Sequence, residues 1–332
     1  MVSTYNLKGY LQYFYNLWQG TKFKKIKPKL GVKDIAIGVV DFGLRRSNQK
    51  FIDILNHTKK LVQLTDKKGF TSYWFGEHYN DSLLTFTSPL ILISYFASKT
   101  NHIRLGTGAL LIVYQNIENL KHQLENLSAL SNQPIEIGIG FAPGTENSTI
   151  QNSLGWTSSK ESKITKYNEL ADWVNSKKNN INLIRLTSTL PEYPSLSETT
   201  YYAHFIKPNN YSVPSNKVIK VDGVTVFASL ASTHRELEIL NKTHQRLIDH
   251  MVDNKHAKTL CEKEIMEESK LEDEVIQYRS IVGLEDQFYA KTTSLLSFYG
   301  TRKLMIIPIH YDPNLELEMI EKIGNLFNLR NQ

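Results

Sequence analysis

The sequence predicts an α/β protein closed into a (β/α)8 TIM-type barrel, and two observations carry that expectation. Short apolar runs alternate with helix-period segments through residues 35–140, and such alternation implies parallel strands joined by helical crossovers. The first strand then runs into Gly43-Leu44-Arg45-Arg46-Ser47, which lacks the Gly-rich phosphate loop that usually announces an open doubly wound sheet.

In chain order, Ile35 to Phe42 reads as a buried strand. Ser47 to Lys68 has Phe51, Ile54, Leu55, Leu61, Val62 and Leu64 at helical spacing, with Gly69 as its stop. Tyr73 to His78 is a second strand. Ser88-Pro89 opens a helix through Lys99, with Ser88 as N-cap and Pro89 at the first helical position. Ile103 to Val113 is a strand interrupted by Gly106 and Gly108, Asn116 to Leu130 a helix, and Ile135 to Gly140 a strand. Lys160 to Ser176 reads as helix and Ile181 to Thr187 as strand. Pro191 to Pro194 breaks the chain, and Tyr201 to Ile206 and Val218 to Phe227 are strand candidates. Thr233 to about Gln277 is one long polar helical stretch, acidic from Glu262 to Glu274. Leu304 to Ile309 and Asn314 to Phe327 supply a closing strand and helix.

The composition, 41% hydrophobic and 22% charged over 332 residues, suits one large α/β domain or two smaller ones. One cysteine, Cys261, excludes an internal disulfide and fits a reducing cytoplasm. No secretory or membrane-spanning run stands out, so a cytoplasmic location is expected. The net charge of +6 is local: residues 1–33 hold seven lysines and no acid, which leaves the rest at −1. The domains expected are therefore a basic, aromatic arm over 1–33 and a barrel over 34–332. That charge distribution argues against nucleic-acid binding by the barrel. The arm is read as a docked helix with a solvated linker, or as a contact to an anionic membrane surface or acidic partner.

The chemistry gathers at the second strand. Tyr73-Trp74-Phe75-Gly76-Glu77-His78 is an aromatic run ending in an ionisable pair, at the strand tip where barrel enzymes work. Imidazole suits acid/base work because its pKa falls near the operating pH. Gly106 and Gly108 would let a flat ligand approach the backbone, or mark a bulge. His204 could reach the mouth from a strand end. His102 reads as a turn residue and His122 as a surface one. His244, His250 and His256 are six apart, a spacing that does not put metal ligands on one helix face, so no metal site is expected. Neither a nucleophile elbow nor a reactive thiol is evident.

Together with Ser88-Pro89, Thr100-Asn101-His102-Ile103-Arg104-Leu105-Gly106-Thr107-Gly108 and Ile137-Gly138-Ile139-Gly140-Phe141-Ala142-Pro143-Gly144-Thr145, the strand-two run resembles the bacterial luciferase-like flavin monooxygenases. The likeness is greatest to their FMN-dependent oxidoreductase branch. It covers residues 35–150, returns weakly at Tyr202-Ala203-His204-Phe205 and from Ile281 to Ile306, and excludes the arm. The resemblance implies a luciferase-like (β/α)8 barrel with a shortened region around strand five. It implies a flavin-dependent oxidoreductase or monooxygenase using reduced FMN, delivered by a partner flavin reductase, on a small organic or peptide substrate. Deazaflavin is the alternative cofactor, and a non-catalytic flavin-binding or subunit-type barrel the alternative function. His78 would be the acid/base, oriented by Glu77. Asp41, Gly106, Thr107, Gly108, Ala109, Gly140, Thr187 and Ser188 would bind the cofactor, with a cis peptide at Gly108-Ala109. Tyr79, Tyr114 and His204 would line the substrate pocket. The chain departs from the branch at Tyr79, where a second His is usual, at Gln133-Pro134 in place of Gly-Arg, and at Phe141, in place of an arginine that holds the flavin phosphate. A homodimer would form through the helices Ser88–Lys99 and Asn116–Leu130.

Overall fold

The computed structural model describes residues 35–156, 159–177, 180–188, 199–206, 221–251, 260–267 and 279–329. The basic arm and the Pro191–Pro194 break lie outside them. The strands are β1 (Ala36–Asp41), β2 (Ser72–Phe75), β3 (Arg104–Leu111), β4 (Ile135–Gly140), β5 (Ile181–Thr187), β6 (Thr199–Ala203), β7 (Gly223–Leu230), β8 (Ser280–Gly283) and β9 (Lys303–Pro308). The helices are α1 (Phe51–Lys68), α2 (Pro89–Ala97), α3 (Ile117–Leu130), α4 (Ser148–Ser153), α5 (Lys160–Ser176), α6 (His234–Met251), α7 (Glu262–Glu267), α8 (Glu285–Tyr299) and α9 (Pro313–Leu326). Strands β1 to β7 pair in sequence order, β7 pairs β9, and β9 returns to β1. Eight parallel strands thus close a TIM barrel. β8 is an addition: it pairs Phe227–Leu230 of β7, beyond the point where β6 has left that edge.

Local chemistry explains the element ends. Gly69 stops α1 in the left-handed region at φ 82°, where glycine carries no Cβ penalty. Asn116 caps α3 by accepting the Asn119 N–H at 3.0 Å, and Asp312 caps α9 from Asn314 and Leu315. Ser88 makes no such bond, so α2 starts on Pro89 alone. No helix among the described residues is long and apolar enough to cross a membrane.

Three expectations need correction. β2 ends at Phe75, so Glu77 and His78 belong to the loop after it. The long helix from Thr233 is broken: α6 ends at Met251, Leu260 bridges Arg46 as a short strand contact, and α7 follows. The sequence reading assigned no element to β8 or α8, which supply the ninth strand and its return helix. Strand five spans the expected Ile181–Thr187 and pairs on both sides, although 189–198 after it lie outside the described residues.

Alternation along the strands makes two cores. Ile37, Val39, Tyr73, Phe75, Leu105 and Ile137 face the helices, whereas Val40, Trp74, Ile184, Tyr201, Phe227 and Met305 fill the lumen. Trp74 dominates the lumen. Its register partner is Gly106, and its indole N–H donates to Glu136 Oε2 at 2.7 Å. Glu136 in turn pairs with Arg104 at 2.8 Å. Outside the barrel, Arg46 joins the β1–α1 loop to α9 through Glu316 at 2.6 Å, and His57 meets the same carboxylate at 2.5 Å.

A Cβ at Gly106 would lie 2.2 Å from the Glu136 carbonyl oxygen and 2.7 Å from the Trp74 ring. Gly106→Ala should therefore cost about 3 kcal/mol by overpacking, read from urea unfolding. An unchanged midpoint would show that the lumen can yield.

Candidate active site

Because every strand is parallel, their C-terminal ends share one mouth, where barrel loops carry chemistry. His78 stands there. Its backbone N–H donates to Phe86 O at 2.8 Å, and its ring meets the edge of Phe42 at 4.8 Å between centroids. Nδ1 is buried without a hydrogen-bond partner. Burial lowers the imidazole pKa to about 4, so the ring is neutral at pH 7, with one nitrogen donor and one acceptor. Beside it, Asp81 accepts the Leu83 and Leu84 N–H groups at 2.7 and 2.8 Å and pairs with His250 of α6 at 2.8 Å.

Glu77 does not orient His78. Its carboxylate accepts the Leu111 N–H at 2.8 Å and the Tyr79 hydroxyl at 2.5 Å. Tyr114 packs edge-on against Tyr79 and donates to Pro143 O at 2.6 Å. These residues brace the loops after β2, β3 and β4 against one another. Burial raises the Glu77 pKa to about 7, against the two donated bonds.

Several expected site residues do other work. Asp41 faces the helix layer, where Tyr73 and Thr58 donate to Oδ2 at 2.7 and 2.9 Å and Gly43 N–H to Oδ1 at 2.7 Å. Gly106 and Gly108 do admit a flat ring, but it is the indole of Trp74. A Cβ at Gly140 would meet Ala109. Thr107 is fully buried and donates to Gly138 O at 2.9 Å. His204 follows β6, and its ring turns toward α8, where Nδ1 meets Tyr299 Oη at 2.9 Å. What remains toward the mouth is the half-buried Gly108–Ala109 peptide, which is cis, and half-buried Thr187 and Ser188 after β5.

Some site features escaped the sequence reading. Arg185 on β5 lies 5.7 Å over the Phe141 ring, a cation beside the position where the arginine is lost. The pairing of Asp81 with His250 spans 169 residues, and no local spacing announces it. His244, judged only as a metal ligand, is a buried tie. Ser229 hydroxyl donates to Ile309 O and accepts from His244 Nε2 at 2.7 Å, while Ser280 donates to Nδ1 at 2.9 Å. Among the described residues no group of three or more His, Cys, Asp or Glu is placed to hold a metal.

Glu77 makes a pH prediction. Folded Glu77 keeps its proton to about pH 7, whereas the ordinary value is 4.5. Between these values the native state binds more protons, so stability falls as pH rises. The contribution is intact below pH 4.5 and gone above about pH 7. Glu77→Gln should flatten this fall by about 3 kcal/mol, measured by denaturant unfolding from pH 5 to 8. Parallel wild-type and variant curves would contradict a raised Glu77 pKa.

Comparison with known proteins agrees with this geometry. Residues 40–143 match the family model for luciferase-like monooxygenases. The N-acetyl-S-alkylcysteine monooxygenase of Bacillus subtilis is 32% identical over 110 residues, 33% of each chain, so the alignment spans only a third of that relative. The uncharacterized protein YceB of the same organism is 23% identical over 88% of this chain and 99% of its own. Among solved structures, apo-MsnO8 superposes with a TM-score of 0.73 at 18% identity, over 89% of this chain and 99% of that one. The oxygenating constituent of 3,6-diketocamphane monooxygenase from Pseudomonas putida, solved in complex with FMN, gives 0.63 at 13% identity, over 87% and 96%. Residues 40–143 thus match the luciferase-like monooxygenase model, within a barrel that shares its fold with apo-MsnO8 and the diketocamphane monooxygenase constituent.

Proposed function

We propose that this chain is a flavin-dependent oxidoreductase that uses reduced FMN, delivered by a separate reductase, on a small organic or peptide substrate. The observation that carries the reading is His78: a neutral imidazole at the mouth with a buried, unpartnered Nδ1, in a luciferase-like barrel. An orphaned buried nitrogen costs stability unless something outside the chain meets it, and that fits a bound partner there. Gly108–Ala109 would support the ring, with Thr187, Ser188 and Arg185 toward its phosphate. Reduced flavin would supply the electrons for dioxygen activation or hydride transfer. Neutral His78 would donate or accept a hydrogen bond at Nδ1, and would carry charge only while a transferred proton rests on it. Glu77 would act indirectly, by keeping Tyr79 and the β3 end in place. The exposed Ile91 and Tyr95 on α2 support a homodimer through α2 and α3.

Phe141 supports a second reading, a flavin-binding or subunit-type barrel without turnover. Absorbance titration separates the possibilities. Micromolar FMN is expected, Arg185→Ala should weaken it about tenfold, and His78→Ala should lower turnover with a reductase about a hundredfold while flavin still binds. Binding with no turnover for either protein would favour the second reading. Failure to bind oxidised or reduced FMN would overturn the FMN assignment and leave deazaflavin to be titrated.

A further inference from the structure

The loop after β1 carries two adjacent arginines with different surroundings. Leu44 bridges Leu84 of the loop after β2, and Arg46 bridges Leu260. Leu44 and Arg46 both line a small cavity with His57 and Thr58 of α1 and Glu316 of α9. Arg46 is engaged there, donating to His310 O at 3.0 Å, Leu44 O at 3.3 Å and Glu316 Oε2 at 2.6 Å. In an extended segment the residue between two such neighbours projects to the opposite face. Arg45 therefore points away from that cavity, in a loop at the C-terminal mouth. Its backbone is fixed, since its N–H donates to Leu83 O at 2.8 Å and its carbonyl accepts from Leu260 N–H at 3.4 Å. Its side chain is half-buried, and the buried Nε meets no acceptor. The nearby loop and helix acids are committed elsewhere, Glu77 to Tyr79, Asp81 to His250 and Glu316 to Arg46. A guanidinium left in that state costs stability that an acceptor from outside the chain would return.

We propose that Arg45 selects the substrate, by gripping a carboxylate on it through the Nε–Nη edge of the guanidinium. The inference rests on the reading of the His78 mouth as the reaction site. Two parallel N–H donors on that edge match the two oxygens of a carboxylate, a bidentate fit that an ammonium does not reproduce. The flavin phosphate is the other oxyanion of the proposed reaction, but the residues proposed for it lie on and after β5. Round the closed ring β5 is four strands from β1 in either direction. Arg45 thus stands across the mouth from the phosphate end, and its backbone is tied to the loop that carries His78. Leu83 and Leu84 of that loop are buried and give the apolar part of a substrate a wall beside the charged grip. Arg45 is then a specificity-determining residue, and the substrate class is a small carboxylic acid.

The test titrates the full chain, with and without FMN, using cyclohexanecarboxylate and cyclohexanecarboxamide, a charged and a neutral probe of nearly the same shape. The carboxylate should bind at least about tenfold more tightly than the amide and shift the Nε–H resonance of Arg45 in NMR spectra. Arg45→Met keeps the apolar stem and should erase the preference, whereas Arg45→Lys should restore only part of it. FMN should bind Arg45→Met as tightly as it binds the wild type. Three results would each overturn the proposal: an amide that binds as well as the carboxylate, a preference that survives Arg45→Met, or FMN weakened about tenfold in that variant while riboflavin is unaffected. The last would give Arg45 to the flavin phosphate. The wild-type titration stands even if a variant misfolds. A carboxylate preference carried by Arg45 in a protein that takes no flavin would uphold the anion subsite and overturn the FMN reading alone.

Discussion

The packing of Trp74 against Gly106 sets the geometry on which the mouth depends. A lumen of eight strands is just wide enough for side chains to fill it, and one indole takes a large share. That indole fits because the strand beside it carries no side chain at the paired position. It stays because Glu136 satisfies its N–H, and Arg104 balances Glu136. The lumen is thereby closed below, and any ligand must lie above the Trp74 level. Gly106 is therefore part of the floor, although a glycine-broken strand invites the thought of a ligand cradle.

Above that floor, two adjacent residues serve different layers. Glu77 turns toward Tyr79, Tyr114 and the end of β3, on the side of the outer core. His78 turns toward Phe42 and the inner one. Desolvation acts on both with opposite sign, raising the acid and lowering the base, so neither favours its charged form as it would in water. The side of the mouth next to the inner core is apolar. It is well suited to excluding water.

Much of the fold was legible because its signals are local. The strand–helix rhythm through Gly140, the stop at Gly69, the end of α5 at Ser176 and the extent of β5 all follow from periodicity and turn chemistry within a few residues. The break after Met251 was hidden, since polar sequence on both sides keeps helical composition. β8 is only four residues long, too short for alternation to show, and the helix after it went unread with it. In the site, His78 stood out because a strand tip seldom ends in an ionisable pair. The direction of Asp41 and His204 did not, because an inward or outward facing depends on where the strand ends in the ring. Asp81–His250 and the position of Arg185 over Phe141 are contacts between distant segments, and no local pattern encodes them.

The buried pair Arg46–Glu316 joins the first βα unit to the last, across 270 residues. Next to it β1 lies against β9, so both edges of the opening strand are covered only when the final unit arrives. A chain emerging from the ribosome therefore carries an open β1 edge and an uncompensated arginine for most of its synthesis. Ring closure is a late, long-range event of the kind that slows folding and invites wrong edge pairing. Such a protein is most vulnerable during its own manufacture, and a partner holding that edge would matter more before closure than after it.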